Sequence, residues 1–392
     1  MQQKKYKVLF LSSWYPNRVD NSLGIFVKRH AEAVSSYCNV ASLYVCSDLS
    51  LKNKTYESVE TNDHSIYTVN VYYKKVTSRI PFVSSLIKCC RYLNAHRLGF
   101  KLIKANFGKP DIVHANVIFP VGIISLLLKY FYSIPFIVTE HWSGYLPADG
   151  IYKGSIRKMV TRWAVRFSKA ITVVSEDLKK AMLKQGLVNN YHVVYNVVDT
   201  NSFYHAQQRS ADQKKKILYV GGLEDRSKNI SGMIRTIKKL SLQRHDFELH
   251  IVGDGIDRKA LESLSNELEM SNKFIFFDGY FATDKIAEIM RGYDFFVLFS
   301  NYETFSVVTA EAMTSGLPVI VTNCGGPQEY VTKEIGKIIN AGDEDMLRST
   351  INFMLDNYRS YNKEEIAKYA REKFSYENVG KKFYDIYKMT LN

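Results

Sequence analysis

Two glutamates eight positions apart, Glu303 and Glu311, stand in the segment 300–331, SNYETFSVVTAEAMTSGLPVIVTNCGGPQEYV. The residues just before it, DFFVLF at 294–299, make a short run of apolar and aromatic side chains, which suits a strand buried on both faces of a parallel sheet. From about 306 the pattern VVTAEAMTSG turns helical, with Gly316 as its stop and Pro318 opening a second apolar strand at 319–322. In an open parallel sheet ligands sit at the carboxyl ends of the strands, and the first free amides of the following helix attract an anion. Phe305, Ser306 and Val307 would supply those amides. Two carboxylates beside such a site repel a phosphate, so Glu303 and Glu311 are better matched to hydroxyl groups flanking it, as in a nucleotide sugar. On spacing alone, an ordinary βαβ unit with a solvated Glu303 and an incidentally placed Glu311 accounts for the pattern as well.

A second anion-binding arrangement lies at 217–229, ILYVGGLEDRSKN, where a strand runs into the glycine turn Gly221-Gly222 and a helix begins near Asn229. Lys228 stands at that helix entrance, so amides and an ammonium converge. Arg226, in the same loop, either reaches the same anion or stands exposed. The strand FELHIV at 247–252 ends in Gly253-Asp254-Gly255, and one at 273–277 ends in Asp278, Gly279 and Tyr280.

The Glu-x7-Glu segment with its continuation EAMTSGLPVIVTNCGGPQEYV resembles the signature of the retaining family 4 glycosyltransferases, and the likeness extends over nearly the whole chain. It implies the GT-B fold, an α/β architecture of two Rossmann-like parallel-sheet domains facing each other across a cleft. The stretch around Lys228 is similar to the family's Gly-Arg-Leu-x-x-x-x-Lys element, whose arginine and lysine grip a diphosphate; Lys228 is retained, while Gly222 stands at the arginine position. His141, in TEHWSG, matches a histidine facing the donor sugar, and Gly24, closing the first loop, matches a glycine bordering sugar and diphosphate. Gly253 belongs to a strand end that borders the nucleobase. By this resemblance His141, Lys228 and Glu303 are the catalytic candidates. The donor-binding set is Gly24, Gly221, Gly222, Arg226, Lys228, Gly253, Glu303, Phe305, Ser306, Val307 and Glu311, with Glu303 on the sugar and Glu311 on the ribose. No metal and no cofactor are implied; the co-substrate is a nucleotide-diphosphate sugar of uridine or guanosine. VVYNVVDTNSF at 193–203 is similar to the family's hinge element, which implies that Asn196 and Asp199 lie at the domain junction, and the terminal helix is expected to cross back onto the first domain.

The elements that must position these groups follow from length and patterning. A chain of 392 residues is too long for one ordinary core and most naturally makes two α/β domains. The first runs over 1–205, completed by a helix at about 376–392; the second runs over 206–375, the boundary falling inside the polar linker HAQQRSADQKKK at 205–216. In the first half, strands are expected at 7–12, 40–46, 65–73, 111–115, 135–140 and 170–175. The alternating third, SIYTVNVYY, reads as a half-exposed edge. Helices are expected at 25–37, 82–104, 152–168 and 176–185. Arg29 and His30 read as surface residues of the first helix, and His114 as a structural histidine. The tail places Val379, Phe383, Ile386, Tyr387 and Met389 at helical spacing.

No run approaches ~18 uninterrupted apolar residues, and MQQKKYKVLFLSSW is followed by no small-residue cleavage site, so it reads as a first buried strand. The five cysteines include no C-x-x-C pair and read as small buried hydrophobes in a reducing cytoplasm. A net charge of +14 calls for an anionic partner. The excess is concentrated in two stretches free of acids. One, 64–110, carries Lys74, Lys75, Arg79, Lys88, Arg91, Arg97, Lys101, Lys104 and Lys109; the other, 150–175, carries Lys153, Arg157, Lys158, Arg162, Arg166 and Lys169. Basic amphipathic helices there would either cover the sheet with a charged outer face or rest on the inner face of an anionic membrane, next to a saccharide or lipid-linked acceptor in surface-polysaccharide assembly. The competing readings are a nucleotide-sugar epimerase on the same fold and a basic membrane- or nucleic-acid-binding protein; no RNA-binding motif is present, and nucleic acid is not an expected partner.

Overall fold

The computed structural model describes residues 5–76, 80–204 and 214–391. Most of the linker expected at 205–216 therefore lies outside the described residues, as does Arg79.

The first half alternates β1 (Lys7–Ser12), α1 (Ile25–Ser35), β2 (Asn39–Asp48), β3 (Tyr56–Asp63), β4 (Ile66–Lys74), α2 (Pro81–Asn106), β5 (Ile112–Asn116), α3 (Ile118–Tyr132), β6 (Phe136–Glu140), α4 (Ser155–Phe167), β7 (Ile171–Val173), α5 (Glu176–Lys184) and β8 (Tyr191–Val193). Among the described residues these strands form one eight-stranded sheet in the order β3-β4-β2-β1-β5-β6-β7-β8. Every pair is parallel except β3 with β4. The second half continues with β9 (Lys215–Val220), α6 (Asp225–Lys228), α7 (Ile230–Ser241), β10 (Phe247–Val252), α8 (Arg258–Glu267), β11 (Ile275–Gly279), α9 (Thr283–Met290), β12 (Phe295–Leu298), α10 (Val307–Thr314), β13 (Val319–Thr322), β14 (Gly336–Ile339), α11 (Glu344–Asn357), α12 (Lys363–Phe374) and α13 (Tyr376–Leu391). Its strands make a parallel six-stranded sheet, β11-β10-β9-β12-β13-β14. The two sheets with helices on their faces are the two-domain α/β architecture of the GT-B fold.

Burial explains the strand patterns. β1, β5, β6 and β12 lose both faces to covering helices, so nearly every residue in them is buried, and the runs VLFL, IVHAN, FIVTE and FFVL carry no alternation. The segment read as an edge strand is β4, which lies inside the sheet between β2 and β3. The edge belongs to β3, whose YESVETND is polar and largely exposed and which joins antiparallel through a tight turn. α3 has no counterpart among the expected elements. Its IFPVGIISLLLKYFY is apolar nearly all round, so no helical period stands out.

α13 packs against α1 of the first half, with Val379, Phe383, Ile386 and Tyr387 in the same apolar cluster as Val8, Phe10, Val27 and Val34. Met389 points outward and is exposed. The cysteines divide: Cys38 and Cys324 are buried, whereas Cys89 and Cys90 stand exposed on α2 and are not the buried hydrophobes their type suggested.

Candidate functional site

In each sheet the chain reverses its winding direction beside one strand, at β1 and at β9, and the carboxyl ends there open crevices. The two crevices face each other. Between them lies a cavity of about 390 Å³, lined by Trp14 after β1, His141, Ser143, Asp149 and Ile151 after β6, Glu224, Arg226, Ser227 and Lys228 after β9, and Tyr302 to Thr304 after β12. A wider surface depression beside Gln243 and Asn352 is lined by Arg244, Asp246 and Asp356, and these charges already pair with one another.

The centre of the cavity is an ion pair: Lys228 Nζ lies 2.5 Å from Glu303 Oε1, which also accepts from Ser300 Oγ at 2.9 Å. Neighbouring strands fix it. β9 and β12 are paired, and the loops that leave them are tied by Asn301 N to Ser227 O at 2.8 Å and Asn301 Nδ2 to Arg226 O at 2.9 Å. The Glu303 backbone is clamped in turn by the CGG turn, donating to Cys324 O at 3.0 Å and accepting from Gly326 N at 3.1 Å.

His141 is held by its own neighbour. The Glu140 carboxylate, 1% exposed, accepts from the amides of His141 (2.8 Å) and Trp142 (3.0 Å) through Oε1, and from Ile118 N (3.1 Å) and Tyr145 Oη (3.3 Å) through Oε2. Burial pushes the Glu140 carboxyl up while those bonds pull it back. The His141 ring rests on Phe26 with centroids 4.5 Å apart, and neither ring nitrogen has a hydrogen-bond partner among the described residues. Burial, and then the neighbouring His30 and His114, hold its pKa well below the ordinary histidine value. A neutral imidazole with free nitrogens therefore lines the cavity. His114 is by contrast saturated, bonded to Tyr387 Oη and Thr139 Oγ1.

Arg226 reaches across the cleft. Its guanidinium donates to the Asp149 carbonyl at 2.7 Å and approaches the Asp149 carboxylate at 3.4 Å, while that carboxylate also accepts from Ser143 Oγ at 2.7 Å. Of the glycines, none of Gly24, Gly221, Gly222 and Gly253 lines the cavity. Gly24 precedes α1 at φ 66°, against the Trp14 carbonyl, and Gly253, at φ 145°, abuts the Gly221 carbonyl so closely that a Cβ would collide. Gly222 has open space where a side chain would start.

The amides of Phe305, Ser306 and Val307 donate no hydrogen bond within the described residues and stand at the start of α10. Ser306 has φ 66° and ψ 86°, a left-handed conformation rare for a serine and the kind of local strain that gathers at ligand sites. The Phe305 ring itself is buried against Tyr195, Tyr330 and Phe374.

Glu311 does not share the cavity with Glu303. It lies in the second turn of α10, where Oε1 meets Arg29 Nη1 of α1 at 2.9 Å, the two residues being 5% and 6% exposed. Arg29 and His30 are thus interior residues rather than part of a helix surface; His30 is fully buried against Phe383. An 11-residue helix wedged between a sheet and α13 buries more of its circumference than its sequence pattern discloses. Trp14, Glu140, Asp149 and Tyr302 were not singled out by the sequence. For Glu140 a signal existed, since a charged residue closing the apolar run PFIVTE has to find partners.

The chain matches the family described as Glycosyltransferase Family 4 over residues 61–202 and that described as Glycosyl transferases group 1 over residues 200–373. An uncharacterized glycosyltransferase of Methanocaldococcus jannaschii is 26% identical over 404 residues, covering 98% of each chain. A second from the same organism is 29% identical over 285 residues, 72% of this chain and 73% of its own. Among solved structures, sucrose-phosphate synthase from Thermosynechococcus elongatus superposes with a TM-score of 0.76 at 18% identity, covering 98% of this chain and 99% of its own. Anabaena HepE in complex with UDP and glucose gives 0.72 at 16% identity, covering 98% and 99%.

Proposed function

The chain belongs to the family 4 glycosyltransferases of GT-B fold, and from that premise we propose that it moves a sugar from a nucleotide-diphosphate sugar to an acceptor hydroxyl with retention of configuration. The observation that carries this reading is the cavity in which Lys228, Glu303 and a neutral His141 converge from both halves of the molecule. Negative charge grows on the diphosphate as the glycosidic bond breaks. Lys228 and the unbonded amides of Phe305, Ser306 and Val307 stabilise it, so Lys228 exchanges its contact with Glu303 for one with phosphate. Glu303, released, accepts from donor-sugar hydroxyls, and His141 orients the sugar from the opposite wall. The acceptor hydroxyl attacks on the face from which the diphosphate departs, giving its proton to the departing oxygen. No step requires a metal. Anabaena HepE, with UDP and glucose bound, supports a uridine donor.

The acceptor in this reading is a saccharide, carried on lipid at the cytoplasmic face of a membrane, as in capsule, exopolysaccharide or O-antigen assembly. Among the described residues no helix is long and apolar enough to cross a membrane, so contact would be peripheral. α4 supports it. Its buried side carries Val160, Thr161, Ala164 and Val165, while Ile156, Met159, Trp163 and Phe167 make an exposed apolar stripe beside Lys158, Arg162 and Arg166. Tyr130 and Phe131 at the end of α3 are also exposed, and Lys129 reaches from there over the Phe167 ring. A basic face adjoining an apolar one is the pattern of a helix lying on anionic lipid. Ile151, just before α4, lines the cavity, which puts this surface next to the cleft. α2 contributes less than expected: Phe100 and Ile103 are buried, and its exposed large apolar residues are confined to Phe82, Val83 and Leu86 near its start.

The test is thermal stability with UDP, GDP and ADP and their sugar conjugates, beside Lys228→Ala. A ligand at ~100 times its dissociation constant should add about 2.7 kcal/mol. A shift with one nucleotide class, abolished in the variant, supports the reading, and product chromatography with and without acceptor separates transfer from donor conversion. No shift with any nucleotide sinks it.

A further inference from the structure

The contact between Arg29 and Glu311 joins the two halves of the molecule through the most deeply placed ion pair near the cleft. Arg29 lies on α1 of the first sheet's domain, and Glu311 on α10 of the second. Only Oε1 of Glu311 is engaged; Oε2 has no hydrogen bond among the described residues. The groups facing the pair are few: Asp199 from the segment that joins the domains, and Tyr376 at the start of α13, whose hydroxyl is turned to Glu32. α12, which also packs on α10, brings the buried residues Ile366, Ala367, Ala370 and Phe374, and its Arg371, whose Nε is buried, is not among the charges that act on Glu311. Arg29 is therefore the one cation facing Glu311 among the described residues. A bare carboxylate in that setting would be driven to take up a proton, and the adjacent Asp199 pushes the same way.

We propose that Arg29 is a positioning residue for the donor site: it keeps Glu311 ionised and turned so that Oε2 is free to accept donor hydroxyls, and because it belongs to the opposite domain it makes donor binding depend on closure of the cleft. This rests on the nucleotide-sugar reading above. Neither glutamate spacing nor helix patterning assigns Arg29 such a role. The arrangement makes donor affinity and domain closure two readings of one equilibrium, because the half that bears Glu311 is complete only when the half that bears Arg29 is docked on it.

The sign of the pH effect follows. Burial raises the Glu311 carboxyl and Arg29 opposes that rise. Without the guanidinium the folded-state pKa moves further up, so the carboxylate form is lost at a higher pH as acid is added. The experiment is binding of UDP- and GDP-sugars, measured by calorimetry from pH 5 to 8 on the full chain, for wild type, Arg29→Lys, Arg29→Met and Lys228→Ala. Arg29→Met is expected to bind the donor about tenfold more weakly at neutral pH, with the acidic loss of binding displaced to higher pH. Arg29→Lys, which keeps the charge, is expected to restore most of the wild-type pH profile. A purely structural role would weaken all pH values equally and leave the acidic limb where it was. Wild-type affinity and an unmoved limb in Arg29→Met, with binding still lost in Lys228→Ala, overturn the role of Arg29 and leave the nucleotide-sugar reading standing. Wild-type protein that binds no nucleotide sugar overturns both. Should Arg29→Met fail to fold, Arg29→Gln takes its place: an acidic limb displaced to higher pH supports the proposal, and an unmoved limb with wild-type affinity overturns it.

Discussion

The side chains at the cavity differ in how far their partners lie along the chain, and this decides what a sequence can disclose. Lys228 and Glu303 each sit in a local pattern, a glycine turn before a helix and a polar loop after a buried strand, and each could be picked out alone. Arg29 and Asp149 have no such frame. Their meaning comes from Glu311 and Arg226, on the other domain, and no local periodicity encodes a contact across a cleft. Glu140 is an intermediate case: its partners His141, Trp142 and Tyr145 are near in sequence while Ile118 lies 22 residues upstream, and the loop that wraps it has no regular period. Removing its carboxylate strands three buried amides. Each unsatisfied donor costs about 1–3 kcal/mol, so Glu140→Ala should lower stability by at least about 3 kcal/mol in urea titration, and Glu140→Gln, which keeps one acceptor, by less. A midpoint unchanged in Glu140→Ala would mean that water replaces the carboxylate and that the loop around His141 is not built on it.

Among the elements, those with a single buried stripe or a continuous apolar run were legible, and β12, α10 and β13 emerge where the sequence puts them. β3 and α3 were not. β3 is a strand because β4 offers it a hydrogen-bonding edge, not because its own residues favour one, and α3 is too uniformly apolar to show which side is inward. α4 carries more information than its length suggests, since its core face, apolar stripe and basic stripe are all separable. Each lysine or arginine near an anionic bilayer contributes about 1 kcal/mol, and the exposed stripe adds the burial of its rings. The wild-type chain should therefore sediment with vesicles containing phosphatidylglycerol, and less so in high salt. The double variant Ile156→Glu and Trp163→Glu should remain in the supernatant with its melting temperature unchanged, because both side chains are already in water (68% and 54% exposed). Equal sedimentation of the variant would assign the basic charge to another partner.

At the level of the whole molecule, the domains meet through charges as well as through the cavity. Glu329, in the turn after β13, accepts from the amides of Glu176 (2.8 Å) and Asp177 (2.7 Å), so a carboxylate of one domain caps α5 of the other. Hydrogen bonds to a charged group contribute about 1.5–3 kcal/mol, and Glu329→Ala should accelerate hydrogen exchange at the amides of 176 and 177 by about tenfold or more while leaving β9 protected. Unchanged exchange would show that the cap is not what shields them. The sequence marks this glutamate as part of the GGPQE turn but not its partner, which again lies on the other domain. α13 ties the halves differently. Its Phe383 and Tyr387 share one apolar cluster with Val8 and Phe10, so β1 is packed by a helix that follows the entire second domain. A chain growing from its amino end must therefore hold that part of the first domain's core unfinished until the entire second domain and then α13 have been made.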